Sequence, residues 1–248
     1  MERKNYFIIV TLIFMSISVV NFASNKKEIY NAYISGKMDK WKNIIDQMEG
    51  QKIKTNSFLF ELINYQYGYI GWCLGNNKKN QAKKYLNLAE KNLEVVENQQ
   101  CCFSLIYAYK SAFYGFRIGL TPYKAPFIGP NSMKNAELSI ETDSTNFLGF
   151  VQYGNNQFYM PAVFGGSKEL AIDYFEKAKA LLEHNQNELI YDWNYLSLMV
   201  VIAQAYEKIK DLEMAKEYYE IILKKEPDFI WVKDELYPDL LIKIEAKK

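Results

Sequence analysis

Phe164 to Leu182, FGGSKELAIDYFEKAKALL, decides the fold. Gly166 is expected to end one helix with φ > 0, Ser167 to cap the next, and Glu169 to favour its positive N-terminal end. From there Leu170, Ala171, Tyr174, Phe175, Ala178, Leu181 and Leu182 recur on one side at the helical period. Lys168, Asp173, Glu176, Lys177 and Glu183 take the other side, so this helix buries one face.

The same spacing recurs away from this stretch. Gly36, Trp41, Ile45 and Met48 stand at the offsets of Gly166, Ala171, Phe175 and Ala178. Ala82, Leu86 and Ala89 repeat them after Gly75, with a turn two residues longer, which a loop tolerates at small cost. Toward the C-terminus Ile202, Ala203 and Tyr206 on one helix precede Ala215, Tyr219 and Ile222 on the next, with Pro227 beyond. This layout resembles the tetratricopeptide repeat (TPR) family, whose first helix carries a large, a small and an aromatic residue at these intervals. Its second helix carries small, aromatic and small residues with a closing proline. Met199 stands where that family prefers Trp, and Ile222 where it prefers Ala.

The resemblance covers Ile29–Glu49, Phe58–Val96 and Phe164–Pro227. It implies an all-α fold, a right-handed superhelix of antiparallel helix pairs, with residues 24–248 as one repeat domain. It also implies a non-enzymatic scaffold whose concave face, lined by the first helices, takes a protein or peptide partner.

Between the repeats the spacing lapses. Gln99 to Gly119 is expected to be a long aromatic helix, and Pro122, Pro126 and Pro130 to forbid helix after it. Helices resume over Asn131–Ile140 and Asn146–Gln157, which leaves an irregular insertion rich in Pro and aromatic residues around 120–166. Over residues 131–182 a helix pair, the loop Tyr159-Met160-Pro161 and the Gly165-Gly166-Ser167 entry to the repeat helix are similar to the helical T-component lipoproteins of tripartite periplasmic (TRAP) transporters. No Cys is placed to carry a lipid anchor. This second resemblance implies a small-molecule-binding component of a transport system.

The N-terminus sets the compartment. Arg3 and Lys4 precede the apolar run Ile8–Val20 and then Asn21-Phe22-Ala23-Ser24, the layout of a signal peptide over residues 1–23. The chain is expected in the periplasm or at the cell surface, and only an uncleaved segment would hold it to a membrane. Of 30 basic residues the leader carries Arg3 and Lys4, and of 29 acidic residues Glu2, which leaves 28 of each. A neutral chain with interspersed charges has no footprint for nucleic acid.

Enzymatic chemistry has little to stand on. There is one histidine, His184, in the polar tail of a helix, and Cys73, Cys101 and Cys102 lack metal-ligand spacing. No cofactor or metal is expected. Cys73 should lie at the opposite end of the helix array from Cys101 and Cys102, beyond the reach of a disulfide. Acidic pairs such as Asp234-Glu235 and Glu141-Asp143 are expected to be solvated.

Arg117 is the residue singled out for binding, because a planar fork among aromatic rings suits a carboxylate. Glu137 or Glu141 would be its internal alternatives. The candidate site is Tyr114, Arg117, Tyr123, Tyr159 and Phe164, with the loops holding Tyr123, Phe127, Tyr159, Met160 and Phe164 packed together beside the arginine. It would receive a small carboxylate ligand or an acidic peptide end.

Overall fold

Five of the helices start where a short polar side chain takes up a free backbone amide. Thr55, Asn146, Ser167, Asp192 and Asp211 accept from the amides of Phe58, Leu148, Leu170, Asn194 and Met214. The structure, a computed structural model, describes residues 25–184 and 189–246. The expected leader over residues 1–23 therefore lies outside the described residues. Among the described residues there are eleven α-helices and no strand. They are α1 (25–34), α2 (Met38–Glu49), α3 (Asn56–Gly75), α4 (Lys79–Glu97), α5 (Phe103–Leu120) and α6 (Ala125–Thr142). After them come α7 (Phe147–Tyr159), α8 (Lys168–Glu183), α9 (Trp193–Lys208), α10 (Leu212–Lys225) and α11 (Tyr237–Glu245). None is long and apolar enough to cross a membrane.

Consecutive helices pair: α3 with α4, α5 with α6, α7 with α8, and α9 with α10. The α5–α6 contacts run antiparallel, since Ser104 meets Ser139 and Ser111 meets Ser132. The first helices run parallel. Asn56 contacts Cys101, Asn64 contacts Tyr109 and Ser111 contacts Asn156, each across 45 residues, so α3, α5 and α7 repeat one register.

Two local expectations are corrected. The positive φ of the turn before α8 belongs to Gly165 (+94°) rather than to Gly166. Gly166 is needed for a different reason: a Cβ there would stand 2.0 Å from the carbonyl oxygen of Met160. The second correction concerns the prolines. Pro122 forms a 3₁₀ turn, Pro126 opens α6 within its first turn, and Pro130 lies inside the helix. A proline near a helix start removes an amide that has no partner in any case, and Pro130 forfeits only one further bond. The segment around 120–166 is accordingly mostly two helices.

The core explains the spacing. Trp41, Ile45 and Met48 on α2, Ala82, Leu86 and Ala89 on α4, Ala171, Phe175 and Ala178 on α8, and Ala215, Tyr219 and Ile222 on α10 are all buried. Ser132, Ala136 and Ser139 on α6 sit at the same offsets and are equally buried. The spacing therefore continues through the middle of the chain with small residues in the slots.

The two ends of the array meet. Tyr33 of α1 lies 5.0 Å from the ring of Phe229, and Tyr30 donates a 2.5 Å hydrogen bond to Glu226. Trp193 of α9 reaches Trp41 of α2 at 5.0 Å and packs over Gly68 of α3, where a Cβ would come within 2.6 Å of its ring.

Candidate functional site

The inner surface of the first helices is filled where they converge. Tyr67 of α3 stacks on Phe116 of α5 at 5.4 Å and lies 6.2 Å from both Tyr109 and Trp193. Its hydroxyl accepts from Gln152 of α7 at 3.1 Å.

Below them a chain of amides links three helices. Asn64 donates to Asn194 at 3.0 Å and to the Tyr109 hydroxyl at 3.2 Å. Its own carbonyl accepts from the Trp193 indole at 2.9 Å and from Asn194 at 3.3 Å. Asp192 in turn accepts from the Asn194 amide group at 3.0 Å and caps α9 through the Asn194 backbone at 2.8 Å. The carboxylate is thus fixed at the positive end of a helix, which favours its charge, while burial pushes its pKa upward. Tyr191, just before it, is held at φ +55°, a conformation uncommon outside glycine.

Here the array opens into a recess of about 410 Å³ lined by Lys26, Glu61, Asn64, Tyr65, Tyr191, Asp192, Trp193 and Asn194. Glu61 is the telling residue. Its Oε1 accepts from the Tyr65 hydroxyl at 2.6 Å, whereas Oε2 is buried without a hydrogen-bond partner. Burial pushes the carboxyl up to about 7, opposed in part by the Tyr65 hydrogen bond and the charge of Lys26. Trp41 fixes this wall from behind by donating its indole N–H to the Tyr65 carbonyl at 2.9 Å.

The residues expected at the site fall elsewhere. Arg117 holds Glu90 of α4 bidentately, Nε at 2.6 Å from Oε1 and Nη2 on Oε2. Lys110, one heptad earlier, pairs with Glu97 through a single ammonium–carboxylate contact, so Arg117 is one rung of a ladder joining α5 to α4. Its partner is neither Glu137 nor Glu141. Tyr114 is half-buried on the same helix. Tyr123, Tyr159 and Phe164 are 72–76 % exposed, with Phe127 and Val163 more so. By the parallel register of α5 and α7 these rings share one end of the array. Tyr159 is exposed over its ring, and desolvation raises its phenol pKa.

Glu61, Asp192, Trp193 and Asn194 were not expected at a site. One signal was available: Glu61 is the only charged residue in the twenty of α3. The other acidic candidates, Glu141, Asp143, Asp234 and Glu235, are exposed, as is His184. The three cysteines are free, Cys73 at the end of α3 and Cys101 and Cys102 just before α5. Among the described residues no group of three or more His, Cys, Asp or Glu could hold a metal ion.

No known family's sequence model matches the chain, and no curated protein does. In three dimensions it is similar to the HusA haemophore from Porphyromonas gingivalis, with a TM-score of 0.57 at 16 % identity over 73 % of this chain and 92 % of that one, a likeness of fold.

Proposed function

We propose that the chain is an exported, non-enzymatic binding protein of TPR-like helix pairs, and that it holds a small molecule in the recess between α1, α3 and α9. The observation that carries this reading is the recess of about 410 Å³ itself, with the carboxyls of Glu61 and Asp192 among the aromatic residues that line it. Occurrence of a haemophore on a similar fold supports carriage rather than catalysis. Haem itself is disfavoured at this recess, because its propionates would face Glu61 and Asp192. Native mass spectrometry of the protein taken from its own envelope should show a bound small mass that is lost in Glu61→Gln. An unliganded wild-type chain, or a mass retained equally by the variant, overturns the reading.

A second reading rests on a different observation, the exposure of Tyr123, Phe127, Tyr159, Val163 and Phe164 at one end of the array. Clustered exposed aromatic residues suit a protein partner. Tyr114 and Arg117 would border that contact. Co-purification of a protein that Phe164→Ser and Tyr159→Ser abolish, with the helical content intact, would move the function to this end.

A further inference from the structure

The walls of the recess narrow the ligand's chemistry. Its polar donors are already committed: the Trp193 indole and the Asn194 amide both serve the Asn64 carbonyl, and Asn64 donates to Asn194 and Tyr109. An anion entering would meet two carboxylates and few open donors. An ammonium group would meet the reverse, two acceptors set among Tyr65, Tyr191 and Trp193.

The chain's own lysines already show this preference. The charge of Lys26 acts on both Glu61 and Asp192, and Lys27 beside it stands 5.2 Å over the ring of Tyr191. Among the described residues Lys26 is the one basic residue lining the recess, so of the charges described there one negative charge remains when both carboxylates are ionised. We propose that the recess binds a primary ammonium group on a short apolar chain, with Glu61 and Asp192 as its counter-ions and Tyr65 and Trp193 covering the chain. The inference rests on the recess being the ligand site.

The test uses the full-length protein and three probes of one shape, n-butylammonium, 1-butanol and butyrate, each raised to tens of millimolar. The reporter is the Trp193 indole N–H resonance, since that group is hydrogen-bonded to Asn64 at the recess. Butylammonium alone should move it, and Glu61→Gln should weaken that binding about tenfold or more. Lys26→Met, which removes the competing ammonium and keeps an apolar stem, should strengthen it several-fold. Butanol or butyrate binding as well as butylammonium would overturn the ammonium assignment and leave the recess as a ligand site. Silence of the resonance with all three probes would overturn the ammonium assignment too. A ligand of another class found by native mass spectrometry would then keep the recess reading, and its absence would end both.

Discussion

Helices α6 and α8 place three residues at identical offsets against the helix before them, and they fill those positions in opposite ways. On α8 the slots are Ala171, Phe175 and Ala178, and the Phe175 ring fills the space left by Gly154, where a Cβ would lie 2.5 Å from it. On α6 they are Ser132, Ala136 and Ser139. With no bulky side chain between them, α5 and α6 approach until each serine reaches the other backbone: Ser104 donates to the Ser139 carbonyl and Ser139 to the Ser104 carbonyl, both at 2.8 Å. Ser132 does the same to Ser111, and Asn146 and Asn156 of α7 donate to the hydroxyls of Ser104 and Ser111. One spacing thus supports two kinds of junction, one held by shape and burial, the other by close approach and hydrogen bonds.

The largest break in the comparison should come from the ring. Phe175→Ala removes a fully buried phenyl whose partner, Gly154, has no side chain to fill the gap, and should cost about 3–5 kcal/mol in chemical denaturation. A cost below about 1 kcal/mol would mean that α7 and α8 collapse together as closely as α5 and α6, and the distinction would fail. Overpacking comes next. Ala171→Leu should cost about 1–3 kcal/mol, whereas Ala180→Leu, on the exposed face of the same helix, should stay within about 0.5 kcal/mol. Equal effects would show that the buried face has been misassigned.

The serine junction should respond to less. Ser139→Ala deletes one donor to the Ser104 carbonyl and one acceptor near Asn146, and is expected to cost about 1–2 kcal/mol. Pairing it with Ser104→Ala should give a clear coupling energy in a double-mutant cycle, because the two hydroxyls act on each other's backbone. Strict additivity would reduce the pair to coincident packing.

This contrast also explains what was legible in the sequence. Helix order, the slots on α2, α4, α8 and α10 and the cap at Ser167 follow from apolar periodicity and capping chemistry, both local. The α6 slots were hidden because Ser132 and Ser139 look polar, and only the proximity of α5 shows that they are buried and paired. Pro130 pointed to a loop because the rule against proline inside a helix is strong, while its position near the helix start weakens the penalty. The recess was less accessible still. It joins Glu61 to Asp192 across 131 positions, and nothing in the spacing of α1, α3 and α9 announces that α9 folds back over Gly68. Arg117 drew attention as a lone fork, but its ladder with Glu90 needs the α4–α5 register, which no single-helix pattern contains.

The smallest predicted effect separates the recess from the rest of the molecule by pH. Glu61 has its carboxyl pushed from 4.5 up to about 7 in the folded chain, chiefly by burial, with Tyr65 and Lys26 pulling the other way. Asp192, facing the same recess, is shifted upward too, through burial. A carboxyl raised on folding binds its proton more tightly in the native state, so native stability should fall as pH rises from about 4.5 to about 7. Solvent reaches part of this side chain, which discounts the effect to about 1 kcal/mol. Glu61→Gln keeps the shape and removes the titration. It should match the wild type near pH 5, exceed it in stability at pH 8, and flatten the slope between, as measured by urea midpoints at each pH. Phe175→Ala and Ser139→Ala, far from the recess, should leave that slope unchanged, since neither alters a titrating group. An undiminished slope in Glu61→Gln would assign the dependence to other carboxylates, and Glu61 would lose its standing as the strained acceptor of the recess.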